Sequence, residues 1–163
     1  MREPSDSSAE FQQLLDDAGI RHVVIGALAA LRYRREPRLT TDVDFLLAHA
    51  EGLVDALHAA GYDQLDIVGD PPYAIFIRTD TVKVDLLVAE TDYQHEALAR
   101  AVDGYLSPED VLVHKLIAWR PRDRDDIASI LDAEVPIDEG YVSRWAAEWD
   151  VTDRWDQARR RRG

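Results

Sequence analysis

The spacing of apolar positions changes several times along the chain. Over residues 6–18, Phe11, Leu14 and Leu15 recur at the interval of one helix face. Asp6 or Ser7 is the expected cap of that helix and Gly19 its expected stop. The run 23–25 reads as a short buried strand, and residues 27–34, after Gly26, are mostly good helix formers. Residues 41–47 alternate as a strand, 53–60 read as a helix closed by Gly61, and 65–68 as a short strand. Residues 73–77 and 82–88 are strongly β-patterned, and the four residues between them predict a hairpin.

Beyond Glu90 the spacing is helical throughout. Ser107-Pro108-Glu109-Asp110 is a helix start, with a serine cap, a proline at the first position and acids over the positive end. That helix continues to Trp119 and is broken by Pro121. Residues 123–131, 141–149 and 153–162 predict three more. The fold class is α/β (α+β): a small mixed sheet flanked by helices over 1–92, and a helical part, 93–163, packed on it as one compact unit.

Composition narrows the function. With 163 residues, 46% hydrophobic and 31% charged, the chain is of single-domain size and not a disordered type. A net charge of −13 argues against broad non-specific binding to nucleic acid or anionic lipid, though not against a local basic site. The absence of cysteine removes disulfide, zinc-thiolate and thiol chemistry. The first residues lack the apolar core of a signal peptide, and no apolar run approaches a membrane span, so a cytoplasmic protein is expected. The closing arginines, Arg159 to Arg162, read as a solvated helix end.

The candidate chemistry begins at Asp42-Val43-Asp44. Strand alternation puts both carboxylates on one face and Val43, Phe45 and Leu47 on the other. In a chain this acidic a bare Asp-x-Asp is most often a solvated pair. The other reading is a pair that needs a compensating cation, for which magnesium has the matching preference for hard oxygen donors. A calcium loop is excluded, because the third ligand and the glycine are missing. Asp85 lies in the apolar strand 82–88, facing away from Val82, Val84, Leu86 and Val88. It is either a metal partner or an edge charge that discourages aggregation. Gly26, between strand and helix, suits close approach of an anion to free backbone N–H groups.

Taken together, Gly26-Ala27-Leu28, then Arg38-Leu39-Thr40-Thr41-Asp42-Val43-Asp44, then Asp85, resemble the nucleotidyltransferase superfamily of the polymerase-β type. The Arg-x-Thr-x-Asp-x-Asp form looks most like the AbiEii/MenT group of bacterial toxin nucleotidyltransferases. The segment 107–116 and Arg122-Asp123-Arg124-Asp125-Asp126 are similar to that group's lysine-bearing helix and its Asp-x-x-Asp helix. The resemblance implies a nucleotidyltransferase fold and catalytic roles for Asp42, Asp44, Asp85, Lys115 and Asp126. Asp42, Asp44 and Asp85 would hold one or two magnesium ions, with manganese as an alternative. Asp85 would complete the second metal site or help activate the acceptor. Lys115 would contact the triphosphate, with Asp126 supporting it, and Gly26, Ala27, Arg38 and Thr40 would join in binding the nucleotide. One departure stands out: where the family turn continues with glycine or serine, Ala27 offers no hydroxyl.

The implied reaction is transfer of a nucleoside monophosphate from a nucleoside triphosphate to an acceptor hydroxyl. Three readings of the acceptor stay open. One is RNA, at the acceptor end of tRNA, with the protein acting as a toxin paired with a cognate antitoxin. Another is a small molecule of the aminoglycoside or lincosamide kind. The third is an inactive relative that binds a nucleotide or a partner protein. No membrane partner is expected. The five histidines show no metal-ligand spacing, and no Gly-x-Ser-x-Gly or Walker loop is present.

Overall fold

The computed structural model describes residues 4–81 and 83–161. The elements follow in the order α1 (Pro4–Asp17), β1 (His22–Ile25), α2 (Gly26–Leu31), β2 (Asp42–Leu47), α3 (Leu53–Ala59), β3 (Leu65–Val68), β4 (Ala74–Arg78) and β5 (Lys83–Val88). Then come α4 (Asp92–Ala99), α5 (Pro108–Ala118), α6 (Pro121–Asp132), α7 (Glu139–Glu148) and α8 (Thr152–Arg160). The expected mixed α/β class is borne out.

The five strands lie in the order β1-β2-β5-β4-β3. β2 and β5 run parallel at the centre, and every other pair is antiparallel. The predicted hairpin is β4–β5, with Arg78 opposite Lys83. Val82, assigned by its spacing to the apolar face of that strand, lies outside the described residues, as does Arg162 at the expected end of the last helix.

Strand alternation gives the sheet two cores. Val43, Phe45 and Leu47 of β2 join Val84 and Leu86 of β5, Ile75 and Ile77 of β4, and the apolar side of α1 and α3. Leu46, Val23 and Ile25 face the other way, into a core shared with α4 to α8. The carboxylates of β2 lie on this second face, so the C-terminal helices are what cover them.

Several boundaries differ from expectation. α1 begins at Pro4, so neither Asp6 nor Ser7 is its cap, and Ser7 is buried. α2 ends at Leu31, because residues 32–41 leave the helix to dock on α6. There Arg35 N donates to Ser129 O (3.1 Å) and Glu36 N to Ser129 Oγ (3.1 Å). Pro121 does not merely break a helix. The chain turns at Trp119 (φ 51°), and Pro121 opens α6 with its missing N–H at a position that needs none. Asp123 then caps α6 by accepting from Arg120 N (3.0 Å). Among the described residues no helix is long and apolar enough to cross a membrane.

Candidate active site

Asp44 stands beside Asp85 in the parallel register of β2 and β5, one place along from Val43 beside Val84. Asp42 is two residues back on the same face. Three carboxylates therefore share a few ångströms of sheet. The Asp44 carboxyl rises to about 7, first because burial penalises its charge, then because Asp85 and Asp42 repel it. The closeness of the Asp85 side chain adds to that rise, so Asp44 is the member of the group that most readily keeps a proton. On its outer side Asp85 is tied to Arg78, Nη1 to Oδ1 at 2.7 Å. The same guanidinium group donates to the Val84 carbonyl at 3.1 Å.

Gly26 packs directly against Asp44. Its φ is +66°, and a Cβ added there would overlap Asp44 Oδ2 and lie 3.0 Å from its Cγ. A left-handed residue without a side chain is what lets α2 start so close to the carboxylate. Ala27 is buried behind it.

The cation facing this cluster is Lys115. Its side chain is only 8% exposed, and its Nζ lies 3.0 Å from Asp123 Oδ1 and 2.9 Å from Asp126 Oδ2. It is therefore not a lysine reaching for solvent. Two fully buried carboxylates on α6 fix it, and its charge draws Asp44 downward against the stronger effects above. Asp126 is shared further. Arg38 approaches it through Nε (2.9 Å) and Nη2 (3.0 Å), and Arg34 through Nη1 (2.5 Å). Arg38 and Lys115 outweigh its burial and hold Asp126 at about 2. Asp123 is likewise lowered by Arg120 and Lys115 despite its burial.

A cleft of about 450 Å³ brings these groups to solvent. Gly26, Asp42, Asp44, Asp85 and Lys115 all line it, as do Arg120 and Arg122. Ala27, Arg38, Thr40 and Asp126 do not line it. Thr40 Oγ1 accepts from Asp42 N (3.2 Å), and Arg38 acts through Asp126. Sequence reasoning missed Asp123 as the second anchor of Lys115, Arg78 as the partner of Asp85, and the aromatic side of the cleft. Tyr93, His114 and Trp149 line that side. His114 falls to about 4 through burial and the neighbouring Lys115, so it is neutral at pH 7.

Asp42, Asp44 and Asp85 are the groups that could hold a metal ion. Among the described residues no three acidic or histidine side chains converge as a finished metal cluster. One oxygen of the third carboxylate, Asp85 Oδ1, is paired with Arg78. The donor set is nonetheless all oxygen, and the raised Asp44 carboxyl marks a deficit of positive charge. Both features fit a hard divalent ion.

The chain matches, over residues 6–148, the family described as nucleotidyltransferase of unknown function (DUF6036). No curated protein matches it at a significant level. Among solved structures it is similar to the antibiotic-resistance factor ANT(2'')-Ia, with 16% identity over 98% of both chains and a TM-score of 0.59. It is also similar to the Megavirus polyadenylate synthase, with 16% identity over 80% of this chain and a TM-score of 0.56. The chain spans 31% of that synthase. At these identities the likeness is one of fold. The toxin MenT4 of Mycobacterium tuberculosis H37Rv also matches, with 18% identity over 79% of this chain and 56% of MenT4. Its TM-score of 0.44 is too low to bear on this chain.

Proposed function

The chain belongs to the DUF6036 family of nucleotidyltransferases, and on that premise we propose that it is of the polymerase-β type and transfers a nucleoside monophosphate from a nucleoside triphosphate to an acceptor hydroxyl of RNA. The observation that carries the reading is the placement of Asp44 beside Asp85 across a parallel register, with Lys115 lining the same cleft.

In this reading the acceptor oxygen attacks the α-phosphorus. A new P–O bond forms as the bond to pyrophosphate breaks, and the Asp85 carboxylate takes the acceptor's proton. Magnesium or manganese held by Asp42, Asp44 and Asp85 would supply the positive charge that polarises the α-phosphate. Lys115 binds the triphosphate, already oriented by Asp123 and Asp126, so little reorganisation accompanies the reaction. Arg120 and Arg122 add charge where pyrophosphate departs. Gly26 keeps the backbone of α2 low enough for phosphate to approach Asp44.

Support for an RNA acceptor comes from local charge. Arg120 and Arg122 line the cleft where α6 starts, on a chain of net charge −13. The Arg38-to-Asp44 pattern extends the proposal to tRNA as substrate, in a toxin restrained by an antitoxin. The same net charge favours a second reading, a cationic small-molecule acceptor, and the whole-chain likeness in fold to an antibiotic-resistance factor is compatible with it.

The test is incubation with magnesium and each α-labelled nucleoside triphosphate, offering total tRNA or a panel of cationic antibiotics. Label on tRNA, absent with Asp42→Ala and weakening steeply with salt, supports the RNA reading. Label on an antibiotic supports the second. Label on neither, with no triphosphate binding, removes the enzymatic reading.

A further inference from the structure

The cleft has an outer half that the phosphate chemistry leaves unused. On β5, Asp85 and Leu87 face the cleft about 7 Å apart, and the chain then leads to Thr91 and Gln94 at the start of α4. That end is aromatic. Tyr93 is buried and fixed: its hydroxyl donates to Asp110 O (3.4 Å), and its ring meets His114 edge-on with centroids 5.6 Å apart. Trp149 meets Tyr93 in a T-shaped contact at 6.1 Å and 78°. Such a contact occupies at most one face of the indole.

Trp149 differs from the other three tryptophans. Trp119 carries Arg124 and Arg154 over its ring, Trp145 carries Arg144 and Trp155 carries Arg159. Among the described residues no cation covers Trp149, which is 40% exposed and lines the cleft. Ile117, 38% exposed, lines the cleft with it. Gln94 adds one polar group. Its Oε1 accepts from Glu90 N (2.8 Å) and Thr91 N (3.0 Å). This fixes the carboxamide and leaves its NH₂ without a partner among the described residues. An open indole face, an apolar flank and one oriented donor group make a site for a flat heterocycle with acceptors on its edge.

We propose that the base of the bound nucleoside triphosphate stacks on Trp149 while its phosphates reach Lys115 and Arg120. This rests on the nucleotidyl-transfer reading, which places the phosphates at the carboxylate end and leaves the base to extend along the cleft. Stacking on an aromatic side chain tolerates any base, so Trp149 sets affinity more than base identity.

The test is calorimetric titration of the protein with magnesium tripolyphosphate and with each magnesium nucleoside triphosphate. The expected result is at least tenfold tighter binding of one or more nucleotides than of tripolyphosphate. Trp149→Ala should erase that advantage and leave tripolyphosphate affinity unchanged, and Trp149→Phe should restore most of it. Equal binding of both probes by the unaltered protein, or a full nucleotide advantage in Trp149→Ala, overturns the inference while leaving the phosphate site standing. Binding of neither probe overturns the nucleotidyl-transfer reading, and this inference with it.

Discussion

Gly26 and Asp44 occupy one another's space: the α-carbon of the first stands where any side chain would collide with the carboxylate of the second. Gly26→Ala therefore carries two costs. Alanine at φ +66° is strained by about 1 kcal/mol, and its methyl group must push Asp44 aside. The expected outcome is a lowered Tm, by roughly 3 °C per kcal/mol for a chain of this length. Nucleotidyl transfer should fall further than stability explains, because the displaced group is the central carboxylate. Melting curves and transfer assays on the same preparation separate the two effects.

Asp44 destabilises the metal-free protein. Buried and repelled by Asp85 and Asp42, it holds its proton up to about 7. Asp44→Asn removes the repulsion, keeps the shape and retains a donor for Asp85. The metal-free variant should melt a few degrees above the unaltered protein at pH 8. Magnesium should then raise the Tm of the unaltered protein but not that of the variant. Equal magnesium shifts in the two would remove Asp44 from the metal site.

Lys115 is expected to be as important to the fold as to the reaction. Lys115→Ala leaves Asp123 and Asp126, both fully buried, short of one cation. Breaking a buried pair by removing one partner costs about 3–5 kcal/mol. Arg38, Arg34 and Arg120 remain on those carboxylates, so the lower end is expected. Adding Asp126→Asn should recover part of the stability and none of the activity. Denaturant titration of the single and double variants gives the coupling directly.

Asp126 also sets the acid limit. Its partners hold it at about 2, below the ordinary carboxylate value. A carboxyl lowered on folding stabilises the protein at every pH above its unfolded value near 4. That contribution fades as pH falls from about 4 to 2, and lowering the carboxyl to about 2 is worth about 2–3 kcal/mol. Asp126→Asn should be less stable than the unaltered protein at pH 6, with the gap closing below pH 4. A parallel offset across that range would place the effect elsewhere.

Much of this site was legible in the chain because its signals are local. Asp42 and Asp44 share a strand, so alternation alone placed them on one face. Asp85 stood out as a charge in an apolar strand, open between an edge charge and a metal partner until the resemblance was drawn. Lys115 and Asp126 entered by resemblance. Non-local features stayed hidden. Nothing near Asp44 announces that β5 will lie parallel beside β2, since the connection passes through α3, β3 and β4. Trp149 reads as one helical aromatic among several, and only the tertiary packing distinguishes it from the arginine-covered three. The cap expected at Asp6 or Ser7 failed because α1 already begins at Pro4, a residue suited to a first helical turn, and both positions lie inside it.

In the proposed metal site, Arg78 and the ion would compete for Asp85. Its guanidinium group is about half exposed, so the 2.7 Å pair contributes little to stability by itself. Its effect is on orientation, because it holds one oxygen of Asp85 on the Arg78 side. Arg78→Ala removes a positive charge from beside three carboxylates, so the metal-free protein should lose a little stability. The same change frees Asp85 to turn inward, so magnesium should bind more tightly and raise the Tm of the variant more than that of the unaltered protein. Arg78→Lys keeps the charge on a more flexible stem and should fall between the two. Magnesium titrations followed by melting temperature decide the order. A variant that loses both stability and magnesium response would instead make Arg78 a support that the metal site requires.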